Sequence, residues 1–574
     1  MNIDRRHSNL QPAIRLTFWI CLMVFILSVH SSRQIFAQVD SKPKPPNVIL
    51  ILLDDMGYSD LGCYGGEIET PNMDRLGESG IRFTQFYNSA RCCPSRASLM
   101  TGLYPHQTGI GSFTGSDRSK TRGRGYTGRL NRECLTIAEA LKPAGYQTYC
   151  VGKWHLGNED RNLPTNRGFD QFYGYTRGHS QHQWDPTRYR RLPQSSEEDR
   201  LDDGENFYAT DQFNRYALKF LKQAQGNRKP FFLYLAHSSP HFPIQAPRKS
   251  VEKYYERYLS GWDKLRSRRF EKQKALGLCE EGWRQTQRSI VPVDKVAGAY
   301  SGNANPAWKE FNQRQQQDLA RRMAIFAAMI DHVDRGIGEI VKLLADSGQL
   351  DNTLILITSD NGACYEWSPI GFDGPSRRQV HKVHTGDDLL NMGQKGTYHA
   401  VGSAWSCLSN TPLRMYKHFT HEGGICSPLI FHWPEKMDSL NKKGTFFRKP
   451  AHVIDIMPTI LSAAGARYPK NHEGRRLIPL EGLNLMTLLN SESPMNRDIG
   501  FEHQGAKAFR SGNYKIVWSK REPNEIEWEL YDLSKDRCET KNLAFSKPEV
   551  VEALRQKYDA WAARVFVTQP KNKK

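Results

Sequence analysis

Unbroken apolar runs separated by helical patterns organise the chain. Residues 47–53 (NVILILL) carry no polar position after the first, which is typical of a strand buried on both faces. Similar runs lie at 146–151, 230–236, 353–358 and 428–432. Helical spacing of apolar residues occupies 135–141 and 317–345, through Met323, Phe326, Met329, Ile330 and Val333. Strands alternating with helices predict an α/β fold with a large, mainly parallel central sheet flanked by helices.

Charged and polar residues follow these runs repeatedly. Asp54 and Asp55 follow the first run, and Asp360 and Asn361 follow the run at 353–358. Ligands of parallel sheets bind beyond the carboxyl ends of the strands, so we expect these residues to meet at one edge. An isolated Asp-Asp pair suits a solvated turn equally well. The recurrence at several strand ends favours a functional site.

In three segments the apolar residues show neither helical nor strand periodicity. After about residue 490 the pattern changes to short strands followed by a helix. The segments at about 158–209, 248–308 and 364–410 are predicted to be insertions in an α/β domain spanning 38–490, placed over the sheet where specificity usually lies. Residues 508–518 and 528–532 predict hairpin strands, and 548–565 predicts an amphipathic helix. The C-terminal subdomain at 491–574 is therefore predicted to be a smaller antiparallel sheet plus a helix.

The N-terminus predicts export. Three arginines precede an apolar run at 16–29, which is too short to span a bilayer comfortably and matches a signal-peptide core. Cleavage near Ala37 would remove residues 1–37, and an uncleaved membrane anchor is the alternative. Because no later apolar stretch reaches 18 residues, we expect no stable membrane insertion and a periplasmic or extracellular location.

The net charge bears on which binding partners are expected, and the cysteine content bears on disulfides and zinc sites. The formal net charge is +19, which fits an anionic partner or a merely solvated basic surface. No run of Lys and Arg is interleaved with aromatic residues, so we expect no nucleic-acid binding. The eleven cysteines show neither a disulfide framework nor zinc spacing. We expect a few disulfides at most and assign none.

Residues 91–109 (RCCPSRASLMTGLYPHQTG) carry the most distinctive pattern. Pro94 suits the first position of a helix, and Leu99 and Leu103 would give that helix a buried side. Cys92 would then lie just before a helix N-terminus, where free N–H groups favour anions, and Arg96 adds a charge one turn later. These residues indicate a reactive cysteine in an anion pocket, with a buried structural thiol as the alternative.

The motif Cys-x-Pro-Ser-Arg followed by Ala-Ser-Leu-Met-Thr-Gly resembles the signature of the type I sulfatases, the arylsulfatase-like members of the alkaline phosphatase superfamily. Matching segments extend from Pro46 to about residue 545. The resemblance implies that a formylglycine-generating enzyme oxidises Cys92 to Cα-formylglycine, whose hydrated aldehyde is the nucleophile. It also implies a sulfated small molecule or glycan, an aryl or carbohydrate sulfate, as substrate.

Asp54, Asp55, Asp360 and Asn361 form an all-oxygen set, and hard oxygen ligands suit Ca²⁺ or Mg²⁺. The resemblance implies Ca²⁺ bound by these four residues, with the nucleophile at position 92 completing the shell. The residues alone fit Mg²⁺ as well.

The resemblance further implies the catalytic roles. Arg96, Lys153 and Lys417 would surround the sulfate, although lone lysines are usually surface residues. His241 lies two residues before Pro243, as in the family motif, and His241 or Lys417 would protonate the leaving alcohol. His155 would accept the proton that accompanies sulfate release, and His237 would line the pocket.

Two other functions fit the same motifs. One is a phosphodiesterase or phosphonate monoester hydrolase of the same superfamily, and the other is an inactive binder of sulfated glycans on the same fold. Activity on matched sulfate and phosphate esters separates the first from a sulfatase. The second predicts missing catalytic positions, and none of the family positions is missing here.

Overall fold

The computed structural model describes residues 44–178, 183–193, 206–227, 229–376, 380–492, 496–523 and 528–568. The predicted signal segment at 1–37, its apolar run at 16–29 and the basic tail at 571–574 lie outside these residues. Within the described part of the chain, no helix is both long and apolar enough to cross a membrane.

The described residues form sixteen strands. They are β1 Asn47–Leu53, β2 Ile81–Tyr87, β3 Gln147–Lys153, β4 Gln171–Tyr175, β5 Arg190–Leu192, β6 Phe231–Ala236, β7 Thr353–Ser359, β8 Cys426–His432, β9 Thr445–Phe447, β10 Ala451–His452, β11 Asn471–His472, β12 Arg475–Arg476, β13 Asp498–His503, β14 Ala506–Ser511, β15 Tyr514–Trp518 and β16 Glu529–Asp532.

Fifteen α-helices accompany them in the same residues. They are α1 Pro71–Ser79, α2 Cys92–Thr101, α3 Ser119–Arg122, α4 Ile137–Leu141, α5 Ala209–Gly226, α6 Arg248–Tyr258, α7 Trp262–Ala275, α8 Gln313–Asp346, α9 Gly386–Asn391, α10 Ser403–Ser409, α11 Glu422–Ile425, α12 Pro434–Leu440, α13 Ile456–Ala463, α14 Leu485–Asn490 and α15 Pro548–Arg564.

A ten-stranded sheet forms the centre of the fold, in the order β10-β2-β8-β7-β1-β6-β3-β4-β5, with β9 paired to β2. β1 lies between β7 and β6 and is parallel to both, whereas β8 runs antiparallel to β2 and β7. A separate four-stranded antiparallel sheet contains β13 to β16. The predicted fold class, a mainly parallel sheet with helices and a smaller antiparallel sheet, is confirmed.

The central strand β1 contributes to two hydrophobic cores. Ile49, Ile51 and Leu53 pack with the long helix α8 on one face, and the alternate residues Val48, Leu50 and Leu52 face the other core. Every one of these side chains is at most 1% exposed. Burial on both faces explains why the run carries no polar residue, since successive side chains of a strand point to opposite faces.

The structure corrects the predicted start of the motif helix. α2 begins at Cys92 rather than at Pro94, because Arg91 is its extended N-cap residue and the Ser95 N–H is the first to bond back, to the Arg91 carbonyl. Pro94 therefore replaces an N–H that has no intrahelical partner. Leu103 is buried but lies beyond the helix, which ends before the left-handed Gly102.

Two predicted insertions contain regular structure. The segment 158–209 supplies β4 and β5 to the edge of the central sheet, and 248–308 contains helices α6 and α7. The buried face of α7 includes Arg266, Arg269 and Gln273, so its pattern does not look amphipathic. The segment 364–410 is mostly irregular, with the short helices α9 and α10.

The C-terminal sheet packs on the last helix. Phe509, Ile516 and Leu530 from its strands share a core with Tyr558 and Trp561 of α15. The predicted hairpin and helix are therefore present, and β13 joins them as a strand that the sequence pattern did not predict. The domain boundary at residue 490 stays a prediction.

Candidate active site

The strand register brings the four oxygen-bearing residues together. Because β1 and β7 are parallel, with Leu53 opposite Ser359, the pairs that follow them leave the sheet at the same edge. The backbone N–H of Asp55 donates to Oδ1 of Asp360 at 3.3 Å, and Nδ2 of Asn361 donates to Oδ1 of Asp55 at 2.7 Å. All four side chains, including that of Asp54, are buried, with at most 1% of each residue exposed.

Each of the three carboxylates is paired with a cation. Nζ of Lys153 contacts Oδ2 of Asp54. Nζ of Lys417 lies 2.8 Å from Oδ2 of Asp55, and Nη2 of Arg96 lies 2.8 Å from Oδ2 of Asp360. These pairs form the catalytic cluster, which the structure assembles from the ends of β1, β3 and β7, from helix α2 and from the loop before α11.

The catalytic cluster holds two carboxylates that repel each other and two oxygen atoms without a hydrogen-bond partner. Burial and the neighbouring charge of Asp54 raise the pKa of Asp360 well above its usual range, although Arg96 opposes the shift. Burial raises the pKa of Asp54 too, but Lys153, His241 and Arg96 outweigh it and lower that pKa. Oδ1 of Asp54 and Oδ1 of Asn361 are buried without a hydrogen-bond partner.

These features fit a hard divalent cation. Two unsatisfied buried oxygens and two mutually repelling carboxylates are costly unless a positive charge lies among them. Carboxylate and carboxamide oxygens are the donors that Ca²⁺ and Mg²⁺ prefer. Asp54, Asp55, Asp360 and Asn361 would hold such an ion.

Cys92 occupies the first turn of α2 beside this cluster. Its Sγ, the Sγ of Cys93 and a ring nitrogen of His155 lie within 4.8 Å of one another. Burial raises the pKa of the Cys92 thiol, but a hydrogen bond with Cys93 and the charge of Lys153 hold it well below its usual range. Burial and Cys92 raise the pKa of Cys93, whose Sγ contacts the Ser112 carbonyl at 3.5 Å. The pKa values of the two adjacent thiols are therefore shifted in opposite directions.

The three predicted histidines occupy different environments. Nδ1 of His241 donates to the Phe242 carbonyl at 2.6 Å, so Nε2 faces Oδ2 of Asp55 and Nζ of Lys417, each at 3.3 Å. His155 and His237 are buried with neither ring nitrogen hydrogen-bonded, and burial lowers their pKa values to about 4 and about 3. His155 lies beside Cys92, whereas the ring of His237 packs near Phe213.

Comparison with known proteins identifies the family. The family described as Sulfatase matches residues 46–466, and the family described as N-sulphoglucosamine sulphohydrolase, C-terminal, matches residues 414–563. The chain belongs to the sulfatase family. It is a sulfuric ester hydrolase of the arylsulfatase-like group, and members of this family generally use formylglycine and a divalent cation.

Similar proteins cover nearly the whole sulfatase. An uncharacterized sulfatase of Schizosaccharomyces pombe is 33% identical over 554 residues, which is 92% of this chain and 96% of that protein. The arylsulfatase of Klebsiella aerogenes is 31% identical over 455 residues, covering 77% and 92%. The solved structure of Ps i-CgsB in complex with k-i-k-neocarrahexaose aligns with a TM-score of 0.62 at 25% identity, covering 92% and 94%.

Sequence reasoning missed a polar group around the N-terminus of α2 in this sulfatase. Nη1 of Arg91 lies 3.2 Å from Oε1 of Glu366, which also contacts Nε2 of His418 at 2.8 Å. Nδ1 of His418 lies 3.2 Å from Nε2 of His503. Arg91 and His418 adjoin Cys92 and Lys417 in sequence, which was a usable signal. His503 belongs to β13, and nothing in its local pattern indicated the site.

Proposed function

We propose that this sulfatase is an exported enzyme that removes sulfate from carbohydrate sulfate esters, with a formylglycine made from Cys92 and a divalent cation held by the four oxygen-bearing residues. The observation that carries the proposal is the catalytic cluster, in which three buried cations, two orphaned oxygens and Cys92 meet at one edge of the sheet. A sulfate ester needs cations for its oxygens, a nucleophile for sulfur and a proton for the leaving alcohol.

Formylglycine and a divalent cation would supply two parts of this chemistry. A hydrated formylglycine offers a hydroxyl nucleophile plus a second hydroxyl for sulfate release, and a bound divalent cation stabilises negative charge on oxygen. The protein supplies the remaining parts through fixed side chains. Arg96 is held by Asp360 and by the Lys153 carbonyl, which Nη1 contacts at 2.8 Å. Lys153 and Lys417 present ammonium groups that cost no reorganisation when charge develops.

Lys417 and His241 form the proton-donating pair. Burial lowers the pKa of Lys417, but Asp55 and other neighbours outweigh it and keep the side chain in its ammonium form. Burial lowers the pKa of His241, so the neutral ring accepts a hydrogen bond from Nζ of Lys417 at 3.3 Å. The leaving alcohol would draw its proton from this pair. Neutral His155, beside position 92, would accept the proton released there.

A carbohydrate sulfate is the proposed substrate. Ps i-CgsB, which shares the fold at 25% identity, was solved with a carrageenan oligosaccharide. The net charge of +19 suits a polyanionic glycan. A desulfation screen on defined sulfated sugars, algal polysaccharides and aryl sulfates tests this choice, with matched phosphate and phosphonate esters as the control series. Faster turnover of the phosphorus esters would assign the chain to the other branch of the superfamily, and no turnover of any ester would support a binding protein.

Substituting each of the two neighbouring cysteines tests which of them gives the nucleophile. We expect Cys92→Ala to abolish turnover and Cys93→Ala to keep much of it, since only Cys92 lies two residues before Pro94 and four residues before Arg96. Peptide mass spectrometry across residues 91–96 should show an aldehyde at 92 and a thiol at 93. An aldehyde at Cys93, or an active Cys92→Ala enzyme, contradicts the assignment.

Export is tested independently of the chemistry. The N-terminal mass of the protein recovered outside the cytoplasm should correspond to cleavage near Ala37. Recovery of intact Met1 in the membrane fraction would instead support an uncleaved anchor.

A further inference from the structure

A hydrogen-bonded group of buried residues lies beside the nucleophile position without belonging to the catalytic cluster. We call it the flanking group, and it consists of Arg91, Glu366, His418 and His503. These residues are between 1% and 7% exposed. Arg91 directly precedes Cys92 in the chain. His418 directly follows Lys417, so the flanking group adjoins both the nucleophile position and the proton-donating pair.

The backbone holds His418 in an uncommon conformation. His418 has a φ of 74° and Ala90 a φ of 59°, both in the left-handed region that favours glycine. The His418 N–H donates to the Ala90 carbonyl at 2.8 Å, so the two unusual residues are bonded to each other. Such strain persists only where the surrounding structure imposes it, and it clusters at functional sites. It therefore indicates that the position of the His418 side chain matters for function.

The ring of His418 connects the other members of the flanking group. Its Nε2 lies 2.8 Å from Oε1 of Glu366, and the ring of Trp367 stacks on it with centroids 6.3 Å apart. Nη1 of Arg91 contacts both ring nitrogens of His418, and its distance to Nδ1 is 3.1 Å. Nε2 of His503 lies 3.2 Å from the same Nδ1. The side chains of Arg91 and His503 therefore meet at one atom.

Two polar atoms of the flanking group lack a partner. Nε of Arg91 and Nδ1 of His503 are buried without a hydrogen-bond partner. Nε of an arginine only donates, whereas Nδ1 of a neutral histidine donates or accepts according to its tautomer. A buried polar atom without a partner costs free energy, so such atoms in a native structure point to a missing partner.

The flanking group borders the reacting residues. The guanidinium carbon of Arg91 lies 5.4 Å from the ring centroid of Phe113, and that ring meets the ring of His155 edge to face at 5.2 Å. Burial and the charge of Arg91 hold the pKa of His503 well below its usual range, although Cys92 opposes the shift. The His503 ring is therefore neutral, and it lies close enough to position 92 to be influenced by its charge.

We propose that Arg91 and His503, through their unpaired Nε and Nδ1 atoms, bind hydroxyl groups of the sugar that carries the sulfate ester. Glu366 and His418 are positioning residues, because they act through the other two. A hydroxyl both donates and accepts, so it satisfies either tautomer of His503. Arg91 already has a charge partner in Glu366 at 3.2 Å, so the subsite suits a neutral polar group rather than a second anion. This inference rests on the proposed function and assigns the flanking group to substrate specificity.

Selectivity between two esters tests the subsite. The probes are the monosulfated monosaccharide that is turned over fastest in the desulfation screen and 4-nitrophenyl sulfate, whose alcohol carries no further hydroxyl. We expect His503→Ala to lower kcat/KM at least about tenfold for the sugar sulfate and to change it less than about threefold for the aryl sulfate. His503→Asn should keep more activity on the sugar than His503→Gln, because asparagine places a polar atom where Nδ1 lies.

His432→Ala is the matched control. His432 is another buried histidine with an unpaired Nδ1, but it pairs with Ile355 near the start of β7, whereas Asp360 follows the end of that strand. Its ratio of the two kcat/KM values should equal that of the parent. His418→Asn, in which asparagine suits the left-handed backbone, should lower the ratio in the same direction as His503→Ala.

Monodeoxy analogues of the sugar sulfate test the unmodified enzyme, so this result does not depend on the folding of a variant. At least one analogue should lose at least about tenfold in kcat/KM with the parent and should be hydrolysed equally by His503→Ala. An unchanged ratio in His503→Ala, or a parent that hydrolyses every analogue as well as the sugar sulfate, overturns the inference and leaves the proposed function intact. A parent that hydrolyses 4-nitrophenyl sulfate but no carbohydrate sulfate overturns both.

Discussion

Two buried charge clusters in this sulfatase look alike in composition and differ in completeness. The catalytic cluster pairs three carboxylates with three cations. The second cluster, which we call the junction cluster, links the two sheets through Glu422, Glu539, Lys515, Arg537 and Tyr87. It pairs two carboxylates with two cations, and its charged side chains are at most 1% exposed.

The junction cluster satisfies each of its carboxylate oxygens. Lys515 donates to Oε1 of Glu422 at 2.7 Å and to Oε1 of Glu539 at 2.8 Å. The Tyr87 hydroxyl and Arg537 reach Oε2 of Glu422, and the Glu422 N–H reaches Oε2 of Glu539. The catalytic cluster instead leaves Oδ1 of Asp54 and Oδ1 of Asn361 without partners. Charges are paired in both clusters, so it is the unpaired oxygen atoms that distinguish the ligand site from the structural one.

The largest expected effect separates activity from stability at Asp360. We expect Asp360→Asn to lower kcat by at least about 10³-fold, equivalent to about 4 kcal/mol. The substitution removes a charge from the ligand set but keeps an acceptor for Arg96 and relieves repulsion with Asp54, so the free energy of unfolding should change little. Steady-state kinetics and urea unfolding check both halves. If the variant were active but less stable than the parent, the role of Asp360 would be structural and not catalytic.

The reverse outcome is expected in the junction cluster. Glu422→Gln leaves Lys515 and Arg537 short of one buried charge, and breaking a buried ion pair costs about 3–5 kcal/mol. The folded fraction should keep a kcat near that of the parent, because Glu422 lies outside the catalytic cluster. Urea unfolding and active-site-normalised kinetics measure the two quantities. Full stability in this variant would contradict the structural role.

Metal binding should distinguish the same two variants. A ligand that binds only the folded state adds about 2.7 kcal/mol of stability at a concentration of 100 times its Kd. We expect Ca²⁺ to raise the unfolding free energy of the parent and of Glu422→Gln by a similar amount, and to have little effect on Asp360→Asn. Unfolding with Ca²⁺, with Mg²⁺ and with chelator gives the comparison. An equal Ca²⁺ effect in all three proteins would mean that the catalytic cluster does not bind Ca²⁺.

Sequence patterns predicted those parts of the fold that are buried on both faces by apolar residues. The strand at Asn47–Leu53 was predicted at its observed bounds, since neither face exposes a polar side chain. Helix α7 was missed because its buried face includes Arg269, whose partners Asp60 and Glu67 lie some 200 residues away in the chain. Such pairing exists only in the folded protein, and the isolated segment resembles a solvated surface.

The candidate site was predictable at the strand ends and less so elsewhere. Parallel strands must bring their carboxyl ends to one edge, so the meeting of Asp55 with Asp360 followed from the fold class. Which cation would pair with which carboxylate did not follow, because Lys153 and Lys417 come from different elements. The contribution of His503 required the C-terminal sheet to pack beside α2, and no local pattern specifies that packing.

The smallest expected effect concerns a single hydroxyl of the junction cluster. Tyr87 and Tyr58 are both fully buried, and their hydroxyls donate to Oε2 of Glu422 at 3.0 Å and to the Thr84 carbonyl at 3.1 Å. A hydrogen bond to a charged group contributes about 1.5–3 kcal/mol, and one between neutral groups about 0.5–1.5 kcal/mol. We therefore expect Tyr87→Phe to lose about 1 kcal/mol more stability than Tyr58→Phe. The Tyr87 hydroxyl also accepts a hydrogen bond from Nη1 of Arg510 at 2.5 Å, so the difference in the urea unfolding free energies of the two variants measures the charged partners of Tyr87 together. Equal losses in the two variants would contradict the charged hydrogen bonds assigned to Tyr87 in the junction cluster.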